Sequence, residues 1–211
     1  MYMPTAFQVD RAASLAFAAA RGFGLIAACH GGSPVASPLP FHLDYARDGS
    51  PRVAFHVARA NPLAGLADKG GVWLMSVLGA DAYVSPDWYA SSDQVPTWLY
   101  QTVQLSGPVR PMAADALAQH LDDLAATFEG WLAPKPPWTA ERVTPARRKQ
   151  LMKAIVGIEM NVETVAGSFK LNQHKSDADQ VSVTRALAAQ DDTGSRTIAA
   201  RMVALRPGLT L

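Results

Sequence analysis

A series of strand-like segments separated by turn residues constrains the fold of this chain more than any other feature. Phe23–His30 is almost entirely apolar, which predicts a strand that is buried on both faces. His30-Gly31-Gly32 is a turn signal, and Val35–Tyr45 is predicted to return as a second strand. Since proline has no backbone N–H group to donate, we expect Pro38 and Pro40 to lie on a sheet edge or at bulges.

Further strands follow along the chain. Arg52–Ala58 alternates apolar and other residues, Val72–Val84 and Thr97–Arg110 are the two longest strand-like runs, and Ile155–Val165 returns to a strand pattern. The strands do not alternate regularly with helices, so a doubly wound parallel fold is not expected. The pattern predicts a mainly β fold, an antiparallel sheet closed into a small barrel with peripheral helices.

Apolar residues at helical spacing predict helices around this sheet. The predicted helices are Asp10–Arg21, Asn61 to about Ala67, Ala114–Phe128, Arg147–Lys153, Asp177–Gln190 and Ser195–Leu205. Asp10 and Asn61 are residues that cap helices, and Pro62 suits the first helical position. We expect residues 1–111 and 154–175 to form the barrel, residues 112–153 a helical insertion, and residues 176–211 a C-terminal helical segment.

Composition excludes several classes of protein. Of 211 residues, 49% are hydrophobic and 18% charged, which is typical of a globular chain and not of a disordered one. The net charge of +1 gives no support to a large nucleic-acid surface. Cys29 is the single cysteine, lies in an apolar run and is predicted to be buried and unreactive. The N-terminus shows no signal-peptide pattern and no apolar run could span a membrane, so we expect a cytoplasmic protein.

The sequence lacks the motifs of several common activities. It has no Gly-x-Ser-x-Gly elbow of a serine hydrolase, no Gly-x-Gly-x-x-Gly or Walker-type loop, and no His-Glu-x-x-His spacing of a zinc enzyme. The five histidines are scattered, and no metal site is predicted.

Three segments carry residues that suit ligand binding. In the first, His56–Pro62, a strand brings Arg59 to the start of a helix, where free N–H groups and a guanidinium suit a phosphate or carboxylate. An ordinary surface arginine beside a helix cap explains that segment equally well. The second comprises Tyr83–Tyr89 and Val95–Tyr100, whose aromatic residues either stack on a flat ligand or pack at the barrel mouth.

The third segment is Gly167–Ser176, which we predict to be a polar loop. Lys170 and Lys175 lie there beside amide side chains, which suits an anionic ligand. A solvated basic loop is the alternative interpretation.

These segments, together with the Met-Tyr-x-Pro-x-x-Phe start, resemble the PaiB-type family of FMN-binding negative transcriptional regulators. That family shows His-x-Ala-Arg-Ala-Asn-Pro, Val-Ser-Pro-x-Trp-Tyr, Val-Pro-Thr-Trp-Asn-Tyr and Lys-Leu-Ser-Gln-Asn-Lys motifs, and the matches here come in the same order from Met1 to Lys175. The resemblance implies a Greek-key-like FMN-binding split β-barrel, related to the pyridoxamine-phosphate oxidase group. It also implies a homodimer with FMN at the subunit interface.

The resemblance assigns roles to nine residues. Arg59 and Asn61 would approach the FMN phosphate, helped by the helix that begins at Pro62. Four residues would lie along the flavin or its ribityl chain: Ser85, Trp88, Tyr100 and Gln101. Three would close the site: Lys170, Gln173 and Lys175. No catalytic residue is assigned.

Several positions depart from the family pattern, and one departure is the absence of the histidine expected before Leu39. Leu99 replaces an asparagine, which removes a hydrogen-bonding group from that loop, while Asn172 replaces a serine and His174 an asparagine. Such losses on the ligand side predict weaker FMN binding or a different ligand.

The resemblance favours an FMN-binding protein with a regulatory role. A flavin-dependent oxidoreductase acting on a small planar substrate is the alternative, because the flavin itself carries the redox chemistry and leaves no catalytic signature in the protein. Direct DNA binding has little support, since the basic cluster at Arg142, Arg147, Arg148, Lys149 and Lys153 is typical of a solvated helix.

Overall fold

The computed structural model describes residues 1–208, which divide into two compact units. The ring unit comprises Ala16–Val77 and Gln104–Val165. The terminal unit comprises Met1–Leu15, Leu78–Val103 and the chain from Ala166 onward. The division of the chain at residues 111, 153 and 175 into barrel, insertion and C-terminal segment remains a prediction.

The secondary structure is mainly β, as the sequence predicts. The strands are β1 Gln8–Val9, β2 Phe23–His30, β3 Ser33–Tyr45, β4 Pro51–Ala58, β5 Val72–Val84, β6 Thr97–Pro111, β7 Ile155–Asn161 and β8 Thr164–Lys170. The helices are α1 Arg11–Arg21, α2 Pro62–Ala67, α3 Ala114–Gly130, α4 Pro145–Lys153, α5 Asp177–Ala188 and α6 Thr193–Leu205. None of the helices within residues 1–208 has the length and apolar character needed to cross a membrane.

Six strands of the ring unit pair in a closed cycle. The order is β6-β5-β2-β3-β4-β7, and β7 pairs with β6 again, so that the cycle of pairings returns to its first strand. The registers are antiparallel, with Phe41 opposite Phe55 and Phe55 opposite Ile158. These three side chains are almost completely buried and form part of the unit's core. The expected antiparallel sheet is therefore confirmed.

The terminal unit has its own core, in which α5 and α6 pack with the ends of β5 and β6. β1 pairs with β8 in the same unit, with Val9 opposite Gly167. The buried residues of this core are Ala82, Val84, Tyr89, Leu99, Leu171, Val183, Leu187, Ile198, Ala199 and Met202.

Local sequence signals place the starts of α1 and α2 correctly. The backbone N–H of Ala13 donates to Asp10 Oδ1 at 2.8 Å, and the N–H of Leu63 donates to Asn61 Oδ1 at 3.0 Å. Both contacts satisfy backbone donors that the first helical turn leaves unpaired. The prolines also lie where the sequence predicts, because Pro38 and Pro40 pair with β2 in a part of β3 that has no register with β4.

Two predictions about β2 are wrong. Its residues alternate in burial instead of being buried on both faces: Ile26 is fully buried, whereas Leu25 is 41% exposed. Cys29, predicted to be buried, is exposed as well. In an antiparallel sheet only one face of the strand has to be covered by the core, so an apolar run alone does not establish two-sided burial.

The segment predicted as one strand over Ile155–Val165 is two strands. The chain turns at Val162 and Glu163, where Val162 N–H donates to Pro51 O and Glu163 N–H donates to Ser106 O, at 2.9 and 3.0 Å. β8 then continues through Gly167–Lys170, which the sequence analysis assigned to a loop. Valine and threonine favour strand structure on both sides of this turn, so the pattern does not reveal it.

Candidate functional site

Two lysines in the terminal unit contact neutral oxygen atoms. They lie in the cationic loop, which we define as residues 170–175, at the end of β8. Lys170 Nζ donates to Thr97 Oγ1, and Lys175 Nζ donates to Gln94 Oε1 at 2.6 Å. The Lys175 ammonium also lies 5.1 Å from the centre of the Tyr89 ring. Within residues 1–208, neither lysine has a carboxylate within ion-pair distance.

Positive charge therefore accumulates in the cationic loop with no ion-pair partner for either lysine among residues 1–208. Burial and the neighbouring Lys175 lower the pKa of Lys170. Burial, followed by Lys175 and Lys170, likewise lowers the pKa of His174, whose ring packs edge-on against Phe7. Since an anion at this position would relieve the repulsion, the loop is suited to binding a negatively charged group.

Backbone contacts hold the cationic loop in a defined shape. Gln173 Oε1 accepts from Leu171 N–H at 2.7 Å, and Gln173 Nε2 donates to Phe169 O at 2.6 Å. Asn172 adopts φ 59°, a left-handed conformation that asparagine tolerates better than most residues. Its Oδ1 accepts from Tyr89 Oη, while its buried Nδ2 has no hydrogen-bond partner within residues 1–208. The structure therefore places Gln173 and Asn172 as residues that shape the loop.

Asp179 is a positioning residue that the sequence analysis did not identify. Its carboxylate accepts from Ser91 N–H and Oγ at 2.9 Å and from Ser176 Oγ at 2.9 Å, which ties the loop after Trp88 to the start of α5. Although burial opposes this, the hydrogen bonds from Ser91 and Ser176 lower the pKa of Asp179. The spacing Ser176-x-x-Asp179, similar to a capping box, was the signal that could have indicated it.

The predicted flavin-side residues lie in the terminal unit but do not share one surface. Ser85 Oγ caps the short helical turn Pro86–Trp88 by accepting from Asp87 N–H at 3.3 Å. Trp88 packs partly against the core of that unit. Tyr100 and Gln101 are neighbours in β6, and their side chains therefore leave opposite faces of the strand. Gln101 is 5% exposed, on the same side as the core residue Leu99.

The departure at Leu99 has a different meaning from the one predicted. Leu99 lies in β6, within the run predicted as a strand, and it is completely buried in the core of the terminal unit. An apolar side chain suits this buried position, where an asparagine would need hydrogen-bond partners.

The remaining two predicted residues lie in the ring unit. Arg59 Nε donates to Lys153 O at 2.9 Å and Arg59 Nη2 donates to Ile155 O at 3.1 Å, which leaves Nη1 without a contact in the described chain. Asn61 uses both ends of its side chain, since Oδ1 caps α2 and Nδ2 donates to Ser37 Oγ at 2.8 Å. The structure thus shows contacts within the protein for both residues, and their roles toward a ligand remain predictions.

Comparison with known proteins decides the family. A family model described as "Putative FMN-binding domain" matches residues 1–164, more than three quarters of the chain. The chain belongs to this FMN-binding family. It is also 28% identical over 203 residues to the protease synthase and sporulation protein PAI 2 of Bacillus subtilis, with 96% of each protein covered. The PaiB-type resemblance of the sequence motifs is confirmed, and FMN is the cofactor that family membership implies.

Solved structures of similar fold are more distant in sequence. The FAD and heme binding protein of Mycobacterium smegmatis is 20% identical, with a TM-score of 0.55 and coverage of 77% of this chain and 73% of that one. The flavocytochrome Anf3 of Azotobacter vinelandii is 19% identical, with a TM-score of 0.53 and coverage of 76% and 67%. At this level of identity the similarity establishes a shared fold.

The donor set of this FMN-binding protein fits the cofactor. FMN carries an anionic phosphate, and the cationic loop presents Lys170 and Lys175 with neutral partners only among residues 1–208. Side chains with no carboxylate partner can accept a phosphate without first breaking an ion pair. Within the described residues, no cluster of three or more histidine, cysteine or acidic side chains could hold a metal ion.

Proposed function

We propose that this protein is an FMN-binding regulatory protein whose lysines in the cationic loop hold the anionic part of the cofactor. The charge of Lys170 and Lys175, which no carboxylate of residues 1–208 pairs, supports this assignment, because burial and the neighbouring Lys175 lower the pKa of Lys170. FMN supplies redox chemistry when bound, while the protein binds it, orients it and excludes water.

The lysines provide the test. Lys170→Gln and Lys175→Gln are each expected to raise the FMN dissociation constant about 10-fold or more, since each removes one charge-assisted hydrogen bond. The dissociation constant is measured by titrating FMN fluorescence with protein at low ionic strength. The control is Lys69→Gln, which removes an exposed charge outside the cationic loop and is expected to leave the affinity unchanged.

An equal affinity of all three variants and the wild type would contradict the role of the cationic loop.

We propose in addition a split barrel that works as a homodimer with FMN at the subunit interface. The exposed, edge-on pair of Tyr83 and Trp98 supports an interface, because 45% and 55% of these aromatic residues are open to solvent. Sedimentation velocity of the FMN-loaded protein is expected to show a dimer; a monomer that still binds FMN would refute the shared site.

The regulatory role is supported by the similarity to PAI 2, whose name refers to protease synthesis and sporulation. Direct DNA binding has less support, since Arg148 of the basic cluster forms an ion pair with Asp122 at 2.7 Å. We therefore propose regulation through a partner, with cytoplasmic location.

Transcript profiling tests this role. Deletion of the gene is expected to change specific transcripts, and the wild type but not the Lys170→Gln/Lys175→Gln variant is expected to restore them. Unchanged transcripts, together with rapid bleaching of the bound flavin by NADPH, would favour the oxidoreductase instead.

A further inference from the structure

The ring unit contains a cleft of about 800 Å³ that no residue of the cationic loop lines. Its walls come from α2, α4 and the segments that flank them in β6, β7 and α3. This volume lies within the range of small-molecule binding sites in proteins. The lining combines apolar side chains with several cations, and these two features indicate the kind of ligand that the cleft can bind.

The floor of the cleft is apolar. Met112, Leu117, Met152 and Ile155 contribute to it. Two of them are methionines, whose flexible thioether side chains adapt to irregular apolar ligands. Gly157 brings the floor close to the strand, because a Cβ atom there would lie 2.8 Å from Met112 Sδ and 3.0 Å from Leu117 Cδ1. A ligand without an apolar body would leave this surface in water.

The rim of the cleft is cationic. Lys149 and Lys153 are four residues apart in α4, so they lie on the same face of that helix, and Arg59 and Arg148 also line the cleft. Arg148 is paired with Asp122. Three cations of the lining then remain: Lys149, Lys153 and Arg59. Asp68 is the one carboxylate among the lining residues that the structure describes, so the cleft carries an excess of two positive charges.

We propose that this cleft binds an amphipathic anion, a small molecule with a carboxylate or phosphate headgroup and an apolar body. The headgroup lies between Lys149 and Lys153, and the apolar body covers the methionine-lined floor. The excess positive charge excludes amphipathic cations, and the apolar floor gives little affinity to a bare inorganic anion. Such a ligand is a second small molecule for this protein, distinct from FMN.

Gly65 gives a steric test of this site. It lies in α2, lines the cleft, and a Cβ atom added there would meet nothing within 4 Å in residues 1–208. Gly65→Phe therefore places a ring in the cleft without a clash at its first side-chain atom. Gly65→Ala is the matched control, since it changes the helix in the same way and leaves most of the cleft open.

The experiment is calorimetric titration of the full-length protein with decanoate and with decyl phosphate. We expect one site per chain, an affinity about 10-fold weaker in Gly65→Phe than in Gly65→Ala, and about 10-fold weaker in Lys149→Gln/Lys153→Gln. Arg147→Gln controls for charge, because Arg147 lies in the same helix outside the cleft lining. Decylammonium is expected not to bind. The decanoate and decyl phosphate arms distinguish a carboxylate from a phosphate headgroup.

Three results would overturn the proposal. They are equal decanoate affinity in Gly65→Phe and Gly65→Ala, binding of decylammonium as tight as that of decanoate, and displacement of decanoate by FMN. The last would identify the cleft as the flavin site. The FMN affinity of Gly65→Phe, measured in parallel, separates this test from that of the cationic loop, because it is expected to equal that of the wild type.

Discussion

Gly107→Ala is expected to destabilise the protein by about 3 kcal/mol or more, or to prevent folding. A Cβ atom at this position of β6 would lie 1.7 Å from Asn161 O and 3.1 Å from Glu163 N. Both are backbone atoms at the turn between β7 and β8, and neither can move without disrupting the strand pairing there. Urea denaturation followed by circular dichroism measures the loss as a lower transition midpoint.

Gly130→Ala is the matched control for this substitution. Gly130 is the last residue of α3, and a Cβ atom there would meet nothing within 4 Å among the described residues. Alanine favours helix over glycine, so this variant is expected to be as stable as the wild type or up to about 1 kcal/mol more stable. A Gly107→Ala protein with an unchanged midpoint would show that β6 and the following turn do not approach each other this closely.

Stability is also expected to fall in mild acid because of a pair of histidines in the ring unit. His56 Nδ1 lies 3.2 Å from His120 Nε2, so one ring donates a hydrogen bond and the accepting ring must be neutral. Burial, followed by His56 and His42, lowers the pKa of His120 to about 4, although Asp123 and Asp44 oppose this. Burial also lowers the pKa of His56.

The direction of the pH effect follows from these pKa values. The unfolded chain binds a proton at His120 near pH 6.5, before the folded chain does, so the neutral pair stabilises the fold above pH 6.5 and this stability is lost as the pH falls toward 4. The shift corresponds to a loss of about 3 kcal/mol, of which about 2 kcal/mol is lost by pH 5. Urea denaturation at pH 7.5 and pH 5 measures it.

His120→Gln isolates this contribution. Glutamine can hydrogen-bond to His56 but does not titrate, so the difference in stability between pH 7.5 and pH 5 is expected to shrink by about 2 kcal/mol. His30→Gln, at the exposed β2–β3 turn, is expected to keep the wild-type difference. If His120→Gln loses as much stability in acid as the wild type, the buried pair is not the source of the pH dependence.

Local signals in the sequence were enough to predict most elements of the fold. Alternation in Arg52–Ala58 predicts that Val53, Phe55 and Val57 point inward, and all three are buried. Asp10 and Asn61 mark helix starts because a short polar side chain can pair with the free N–H groups of the first turn. Burial alternation and helix caps depend on residues that are neighbours in the chain. A single sequence is therefore enough to predict them.

The sequence predicted poorly wherever a residue's environment depends on a distant segment. Cys29 and Leu25 belong to an apolar run, yet their burial depends on whether another layer covers the outer face of β2. The same limit applies to Leu99, which the motif comparison placed on the ligand side and which lies in a core with Leu171 and Val183, distant in the chain. Apolar composition alone does not distinguish one covered face from two.

The family motifs led to the cationic loop but not to its geometry. Lys170 and Lys175 were predicted as ligand residues, and both carry charge that no carboxylate in residues 1–208 compensates. The sequence could not show that Gln173 is bound to the backbone of its own loop, or that Asp179 ties that loop to Ser91. Hydrogen bonds between such segments form only when the chain folds.

The sequence by itself determined the mainly β class, the caps of α1 and α2, and the membership in an FMN-binding family, because each depends on residue types at short spacings. Only the tertiary structure decided that β7 and β8 are separate strands, that His56 and His120 share a hydrogen bond, and that α4 brings Lys149 and Lys153 to an apolar cleft. Such features join residues far apart in the chain, as in the contact from Arg59 to Ile155, which are 96 positions apart. The energies of such interactions depend on interatomic distances and burial, which cannot be read from the order of residues in the chain.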